Sequence, residues 1–573
     1  MNNEVDILRP DGRESYDLIA PVDTLVRDYR DTASRERPDL IEHAHRVLGL
    51  VRAFAGDKIP DSYDAIMMHD IVSRFRNSDE KYSQESRDSA GLTLFRYFTN
   101  PQISHEKAKY MRDVLSDFDE IEVAAGQHRR ELAAEAVDGE SHLSDERCQL
   151  IVDIVSNRYE GRIPDEVWGI SEARIDPEYM KRFLQTVNIE SVIIKACELL
   201  DNLHYPVSGR ESAVLQDVLE AESFYAPLCE VLGLEALGSN LLGQTKLIRH
   251  EKLQHYGAIA RVGETISNIK MIGYDTILRD VFDRSNSDAS NPKYDMSLVV
   301  KPDNNGEHPV HVGEFVYQKD NGDLVMGNLR IKSIGSAVDK MIRCDGEMPM
   351  DMVGFMAISN DLQSSASDFA DFIKDLTDRS HQPSSGIKLQ KSHGKESAIY
   401  IQGTTEYVDT MKNALADAGI DESQIQVKVQ SESDIEKRGY EKMKVSKATF
   451  IRTYDHKYEP GKTINVPVEV QFLTRVERRR SRIGDIAHIV YKHIDTRLKK
   501  EHYDELPDDS AKKQELKEWA RKTRKLFVGV LGDIYERMSR LSPNSYDTNG
   551  QSDDGGELLF GEIEQFLTEY SVS

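Results

Sequence analysis

The chain has 573 residues with 100 acidic and 74 basic side chains, so its net charge at pH 7 is −26. This length predicts two to four domains with ample core, and the acidic balance argues against a protein that coats nucleic acid over a broad surface. No run approaches the ~18 apolar residues of a membrane span, and the first residues lack the apolar core of a signal peptide. The four scattered cysteines have no C-x-x-C spacing, which indicates free thiols in a reducing compartment. We therefore expect a cytoplasmic protein with no membrane partner.

The first half of the chain shows mainly helical spacing of apolar residues. An isolated His-Asp pair, His69 and Asp70, ends one apolar run, and such a pair is more commonly explained by a buried, hydrogen-bonded histidine. Imidazole and carboxylate groups are, however, also ligands of metal ions. The candidates for such a set are His43, His69, Asp70 and Glu198. Asn202 lies one helical turn after Glu198 and would share its face.

Near the middle of the chain, an extended segment leads into a helix. Arg330 and Lys332 share one face of the extended segment, and Ser336 and Lys340 lie one turn apart on the helix. Three cations and a hydroxyl at a helix start suit a polyphosphate, and a solvated basic face is an equally weighted alternative. Asp351 opens the next apolar strand, and a carboxylate beside phosphates is the usual way to hold Mg²⁺.

Residues 466–474 alternate as a strand, which sets Glu469 and Gln471 on one face. A helical segment that contains His488 follows. The patterns predict further elements: a hairpin that leads into Arg330, a hairpin at 386–402, a helix at 407–418, a strand at 424–429 and helical spacing at 508–540.

In this order, the motifs resemble the synthetase domain of the RelA/SpoT family, which makes and degrades the alarmone (p)ppGpp. The matching residues are Arg330-x-Lys332-x3-Ser336-x3-Lys340, Asp351-x-Val-Gly, Gly439-Tyr440, Glu469-x-Gln471 and Ala-His488-x-x-Tyr-Lys. The resemblance implies transfer of pyrophosphate from ATP to the 3′-hydroxyl of GDP or GTP, with Mg²⁺ as cofactor. The implied enzyme is a GTP/GDP diphosphokinase, with guanosine-3′,5′-bis(diphosphate) 3′-diphosphatase as a possible second activity.

The resemblance also implies roles for individual residues of the synthetase. Asp351 and Glu469 would be catalytic and bind Mg²⁺. The implied nucleotide-binding residues are Arg330, Lys332, Ser336, Lys340, Tyr440, Gln471 and His488. Among them, Tyr440 would stack on the acceptor base, and Gln471 and His488 would border the acceptor site.

The helical half resembles the HD phosphohydrolase domain that precedes the synthetase in long family members. This implies Mn²⁺ bound by His43, His69, Asp70 and Glu198, with Asn202 as a further site residue. In hydrolase-competent relatives, two apolar residues and Glu-Asp follow His-Asp. Here Ser73 and Arg74 replace these acids, and an arginine cannot accept a proton from water. We therefore expect weak or absent hydrolysis.

Departures from the family pattern concentrate on the acceptor side. Lys444 occupies the position where the family has a histidine, and Leu473 the position where it usually has an arginine. Met356 lies where an arginine often closes the first strand. Two alternatives therefore stay open: pyrophosphate transfer to another acceptor, such as a tRNA 3′ end, and a catalytically inactive nucleotide sensor. Apart from that tRNA end, we expect ATP and guanine nucleotides rather than nucleic acid as partners.

The expected fold class is α+β, with an all-helical HD domain followed by a mixed β-sheet nucleotidyltransferase-like synthetase domain flanked by helices. The predicted divisions are an N-terminal arm at 1–26, the HD-like domain at 27–205, connecting helices at 206–270, the synthetase-like domain at 271–500 with an insertion around 361–436, and a C-terminal helix with a flexible acidic tail at 501–573. The C-terminal regulatory modules of long family members are expected to be absent.

Overall fold

The chain folds as a mixed α+β protein with two compact units. Unit 1 comprises residues 1–131 and 182–209, and unit 2 comprises residues 132–181 and 210–573. The computed structural model describes residues 40–55, 64–66, 68, 90, 93–94, 96–97, 104–139, 163, 165–168, 183–206, 211–232, 234–282, 294–295, 312–318, 324–431, 443–483, 490, 494, 497–498, 501–507 and 510–540.

Helices precede the sheet in the described chain. They are α1 (Leu40–Ala55), α2 (His105–Gly139), α3 (Asp165–Trp168), α4 (Ile189–His204), α5 (Glu211–Glu220), α6 (Ala226–Val231), α7 (Glu235–Lys252), α8 (Tyr256–Ile272) and α9 (Tyr274–Phe282). A π-helical turn, Ala221–Tyr225, joins α5 to α6. None of the described helices combines the length and the apolar character that crossing a membrane requires.

The core of unit 1 forms where α1 packs on α4. Val47 and Val51 lie one turn apart on α1 and are buried, as are Val192 and Ala196 on α4. The first turn of α4 is capped from α2, because the carboxylate of Asp117 accepts hydrogen bonds from the backbone and side chain of Asn188 at 2.8 and 2.6 Å. This cap fixes the start of the helix that carries Glu198 and Asn202.

Unit 2 contains a nine-stranded mixed sheet. Its strands are β1 (Tyr294–Asp295), β2 (Val312–Gln318), β3 (Leu324–Ile331), β4 (Val353–Ser359), β5 (Ile387–Leu389), β6 (Ile399–Thr404), β7 (Ile425–Gln430), β8 (Val445–Asp455) and β9 (Thr463–Thr474). The order across the sheet is β1-β2-β3-β4-β9-β8-β6-β7, and β5 also pairs with β8. The β4–β9 and β6–β7 pairs are parallel, and the others are antiparallel.

The later helices lie between and after the strands. They are α10 (Ile334–Arg343), α11 (Leu362–Ser380), α12 (Thr405–Asp417), α13 (Arg475–Ile483) and α14 (Ala511–Arg540), with 3₁₀ turns at Pro383–Ser385, Glu422–Gln424 and Tyr503–Glu505. The helix predicted at 407–418 is confirmed as α12, the strand predicted at 424–429 as β7, and the hairpin before Arg330 as the antiparallel pair β2–β3.

One face of the sheet is the apolar core of unit 2. Phe369 and Phe372 on α11 contact Phe472 on β9, with ring centroids 5.4 and 5.3 Å apart, and Phe282 on α9 meets Phe355 on β4 edge to face at 5.5 Å. Because side chains alternate along a strand, the neighbours of these residues point to the opposite face. We call it the polar face, and it carries Tyr400, Lys447, Glu469 and Gln471.

The predicted hairpin at 386–402 is wrong. β5 and β6 do not pair with each other but lie one after the other along the same edge of β8. The segment between them is held at Thr449, whose backbone carbonyl accepts from the amide of Gln390 and whose amide donates to the carbonyl of Ala398, at 3.1 and 3.0 Å. A two-strand pattern broken by Gly and polar residues does not by itself distinguish these arrangements.

Residues 132–181 belong to unit 2, although the sequence analysis assigned them to the helical domain. Their described part is tied to the helices before the sheet. Arg249 on α7 donates to the carbonyl oxygen of Trp168, and it also forms a two-pronged pair with Glu222 in the π turn, at 3.0 and 2.7 Å.

Candidate functional site

The strand-to-helix corner after β3 carries most of the predicted cations. β3 ends at Ile331, and α10 begins at Ile334, two residues earlier than the predicted start at Ser336. Ser333 caps the helix, because its hydroxyl oxygen accepts a hydrogen bond from the amide of Ser336 at 3.3 Å. Lys340 follows one turn after Ser336.

Close packing against α7 fixes the position of α10. A Cβ added to Gly335 would lie 2.1 Å from the carbonyl oxygen of Gly243 and 2.4 Å from the amide nitrogen of Leu247, both backbone atoms. Only glycine therefore fits at this crossing. At the other end of the contact, Lys246 on α7 pairs with Asp339 on α10 at 3.2 Å.

Asp351 accepts from two of the predicted lysines. Lys332 Nζ lies 2.6 Å from Asp351 Oδ2, and Lys340 Nζ lies 2.9 Å from Asp351 Oδ1. Burial opposes ionisation of Asp351, but the two ammonium groups outweigh it and hold the pKa of this carboxyl well below its usual range. Burial lowers the pKa of Lys332, although Asp351 opposes this shift. The carboxylate is therefore ionised and held between two cations at neutral pH.

Arg330, Gly354 and Glu469 occupy one lateral row across three adjacent strands. Arg330 on β3 is the Cα partner of Gly354 on β4, and Gly354 is the partner of Glu469 on β9. Paired residues in neighbouring strands point to the same face. Glycine has no side chain, so the position between Arg330 and Glu469 is left open on the polar face. Arg330 is exposed, whereas Glu469 is buried.

Glu469 is held by two side chains of the polar face. Lys447 Nζ on β8 lies 2.7 Å from Glu469 Oε2, and Gln471 Nε2 donates to Glu469 Oε1 at 2.7 Å. The sequence analysis did not assign Lys447 to the site. Lys447 lies near the start of β8, among small and apolar residues, but only the pairing with β9 reveals its partner.

The structure describes the three positions that depart from the family pattern, Met356, Leu473 and Lys444. Met356 is the Cα partner of Gln471 and is half-buried on the polar face, while Leu473 is buried. The backbone amide of Lys444 donates to Glu477 on α13 at 3.0 Å. Two further predicted residues, Tyr440 and His488, lie outside the described residues.

In unit 1 the structure pairs His43 with a residue that the sequence analysis did not select. His43 Nδ1 lies 2.6 Å from Asp201 Oδ2, and Arg46 donates to both oxygens of Asp201 at 2.7 and 2.9 Å. Burial opposes ionisation of Asp201, but His43 and Arg46 together lower the pKa of its carboxyl. Asp201 joins α4 to α1 through these contacts.

Of the other predicted residues of the helical half, the structure describes Glu198 and Asn202. Glu198 lies on α4 with its carboxylate 2.5 Å from Lys195 Nζ, and Lys195 also pairs with Glu122 at 2.7 Å. Asn202 is half-buried on the same helix. His69 and Asp70 lie outside the described residues, and among the described ones no group of three or more His, Cys, Asp or Glu could hold a metal.

Comparison with known proteins adds no relative. No family model, no curated protein and no solved structure matches the chain. The site is therefore interpreted from its own geometry and from the motif resemblance.

Proposed function

We propose that unit 2 is a RelA/SpoT-type synthetase that transfers pyrophosphate from ATP to the 3′-hydroxyl of GDP or GTP. The observation that carries this proposal is the parallel pairing of β4 with β9, because β4 begins two residues after Asp351 and its Gly354 is the Cα partner of Glu469, while Lys332 and Lys340 hold Asp351. Transfer of a phosphoryl-type group needs cations for the phosphates together with carboxylates for a metal or a proton.

The lysines on Asp351 are suited to exchange a carboxylate for a phosphate. An ammonium group is a compact charge on a flexible stem. The side chain of Lys340 is 33% exposed, against 10% for Lys332, so Lys340 would turn to a phosphate with the smaller rearrangement. Arg330, exposed at the end of β3, would complete the cradle and offer two parallel hydrogen bonds to a phosphate.

Asp351 and Glu469 also fit the Mg²⁺ that the resemblance implies. Mg²⁺ is usually bound through one or two carboxylates, while phosphates and water supply the other ligands. A magnesium ion would neutralise charge that develops on the transferred group. Asp351 would hold the ion, and Glu469 would share it or accept a proton.

In the proposed reaction, the 3′ oxygen of the acceptor bonds to the β-phosphorus of ATP. The bond from this phosphorus to the oxygen shared with the α-phosphorus breaks, and AMP leaves. Glu469 would take the proton of the 3′-hydroxyl as general base. Lys447 Nζ lies 2.7 Å from Glu469 Oε2 and would hold this carboxylate in place on the polar face.

We propose that unit 1 is an HD-like domain with slow hydrolysis of ppGpp. Histidines that bind metals commonly have a carboxylate on the second ring nitrogen, so the His43–Asp201 contact is compatible with a metal role for His43. Glu198 would have to leave Lys195 to become a ligand. The loss of both acids after His69-Asp70 supports slow turnover, because no acid at those positions orients the attacking water.

The synthetase assignment is tested by product identification. The full-length protein is incubated with labelled ATP and Mg²⁺ plus GDP, GTP or tRNA, and the products are separated. We expect labelled pyrophosphate on GDP or GTP, and a loss of several orders of magnitude in Glu469→Gln. Glu459→Gln, at the exposed turn between β8 and β9, is the matched control. Label on tRNA alone, or full activity in Glu469→Gln, would reject the assignment.

The hydrolase assignment is tested separately with ppGpp and Mn²⁺. We expect slow release of pyrophosphate by the wild type, and a metal content that falls in His69→Ala. Rapid Mn²⁺-dependent release would overturn the expectation. Asp79→Asn and Glu80→Gln would then show whether these nearby acids replace the missing pair.

A further inference from the structure

The polar face extends beyond Glu469 into strands from the region predicted as an insertion. Tyr400 on β6 is the Cα partner of Lys447 on β8, and Lys447 is the partner of Gln471 on β9. The three side chains therefore form one lateral row that ends two residues along β9 from Glu469. Tyr400 also donates its hydroxyl proton to Gln402 at 2.9 Å, which fixes the ring.

Three lysines converge on this row. Lys395, in the segment before β6, has its Nζ 3.9 Å from the centroid of the Tyr400 ring, and Lys447 Nζ lies 5.9 Å from the same centroid. Lys428 on β7 is the Cα partner of Gln402, which is on the same face of β6 as Tyr400. The pKa of Lys395 is lowered, first by burial and then by Lys447 and Lys428, and Glu469 opposes this shift.

These lysines stand out from the rest of the protein. The whole chain is strongly acidic, yet among the described residues that act on the charge of Lys395, two are lysines and one is a carboxylate, Glu469. Like charges at close range raise the free energy of the site, and an anion placed among them would lower it. Tyr400 partly offsets the repulsion, because its ring face attracts Lys395.

We propose that Lys395, Lys428 and Lys447 form an anion-binding subsite on the polar face that takes the 5′-diphosphate group of the acceptor nucleotide. The identity of the nucleotide rests on the proposed function, whereas the recognition of a diphosphate rests on the lysines. The anion competes with Glu469 for Lys447, so its binding loosens the 2.7 Å contact and releases Glu469 for its role in transfer. The subsite thereby couples occupancy by the acceptor to the state of Glu469.

The test measures binding rather than turnover. The double variant Lys395→Gln/Lys428→Gln removes two charges without touching Lys447, which contacts Glu469. The control is Lys374→Gln, an exposed lysine on α11, the helix that packs on the opposite face of the sheet. Calorimetry on the full-length protein, with the donor site saturated by α,β-methylene-ATP, gives the Kd for GDP, guanosine and inorganic diphosphate.

We expect the double variant to raise the Kd for GDP about a hundredfold, or about 2.8 kcal/mol, because each of the two substitutions removes one charge-assisted hydrogen bond to the diphosphate. Guanosine and α,β-methylene-ATP should bind as in the wild type, and Lys428→Arg should keep most of the GDP affinity because it retains the charge. An unchanged Kd for GDP in the double variant would overturn the subsite.

Binding of inorganic diphosphate tests the subsite independently of the proposed function. If the wild type binds diphosphate but not GDP, and the double variant weakens diphosphate binding, the subsite stands and the guanine acceptor is rejected. If the wild type binds neither GDP nor diphosphate, the subsite is rejected. Normal binding of GDP without any transfer would count against the proposed reaction alone.

Discussion

Asp201 in unit 1 and Asp351 in unit 2 each contact two basic side chains, yet the two sites differ in how firmly they are closed. Asp201 accepts from the planar guanidinium of Arg46 and from the buried ring of His43, and its side chain is 3% exposed. Asp351 accepts from two lysines and is 22% exposed. Both carboxyls have a lowered pKa. Asp201 thus has rigid partners, whereas Asp351 has flexible ones.

The rigid partners of Asp201 indicate a structural role for this residue, whereas the flexible partners of Asp351 suit a site where a carboxylate exchanges its partners. A guanidinium fork and an imidazole ring hold a carboxylate in one geometry, and Arg46 is itself fixed over the ring of Tyr205 at 4.3 Å. Lysine stems are more flexible, and Lys340 is partly exposed, so in the proposed reaction Asp351 would exchange this partner for a metal ion as the lysine turns to a phosphate. We therefore expect substitution of Asp351 to affect chemistry most and substitution of Asp201 to affect stability most.

The largest effect is expected for Asp351→Asn. The asparagine keeps the shape but loses the charge, so pyrophosphate transfer should fall at least about a thousandfold, or ~4 kcal/mol in barrier height. Asp345→Asn is the control, because Asp345 is exposed in the same loop and its positive φ of 52° is tolerated by asparagine. Transfer rates measured on both variants check this. A rate for Asp351→Asn within tenfold of the wild type would remove the distinction between the two sites.

An effect of similar size, but on stability rather than on rate, is expected for Asp201→Asn. Removing one partner from a buried ionic group costs about 3–5 kcal/mol. The free energy of unfolding of unit 1, measured in the full-length protein, should fall by about this amount. Hydrogen exchange should locate the loss in α1 and α4. Glu42→Gln is the control, because Glu42 pairs with Arg46 from a 77% exposed position and should change stability by under ~0.5 kcal/mol. Unchanged protection of both helices would contradict a structural role.

Gly335→Ala should have an intermediate consequence for Asp351, because Gly335 fixes the helix that carries Lys340. The added methyl group meets backbone atoms of α7, so α10 must shift, at a cost of about 1–3 kcal/mol. The affinity for ATP should fall with it. Gly263→Ala, on the half-exposed side of α8 with open space around it, should instead stabilise by up to ~1 kcal/mol. Thermal unfolding and the KM for ATP distinguish the two variants.

The smallest effect is a dependence on pH. A carboxyl whose pKa is lower in the folded state than its unfolded value of 3.8 adds stability above that value, and this contribution is lost as the pH falls through the folded pKa. The contribution of the Asp201 carboxylate to the stability difference between wild type and Asp201→Asn should therefore shrink below about pH 4. Urea midpoints between pH 6 and pH 3 measure it. A difference that grows in acid would show that Asp201 is not stabilised as a carboxylate.

Local sequence patterns were sufficient to predict the elements of unit 2 that carry Lys332 and Lys340. The spacing of Lys332, Ser336 and Lys340 predicted a strand followed by a helix, and the alternation around Glu469 predicted β9. Contacts between distant segments were not predictable in this way. Lys447 is a site residue only because β8 pairs with β9, and Asp201 rather than Glu198 contacts His43 because of how α1 and α4 pack. The helical period of the sequence places both Glu198 and Asp201 on α4, but it does not show which of the two contacts α1.

The central position of β9 has a consequence for how the protein is made. β9 pairs with β4 on one side and β8 on the other, and it follows both in the chain. During synthesis, Asp351 and its lysines emerge long before the strand of Glu469, so the sheet stays divided until β9 inserts. Pairings between distant segments form slowly, and β4 and β8 would meanwhile expose edges open to other chains. We therefore expect the nascent protein to be most prone to aggregation in this interval, and both carboxylates of its proposed catalytic centre to be in place only when β9 inserts.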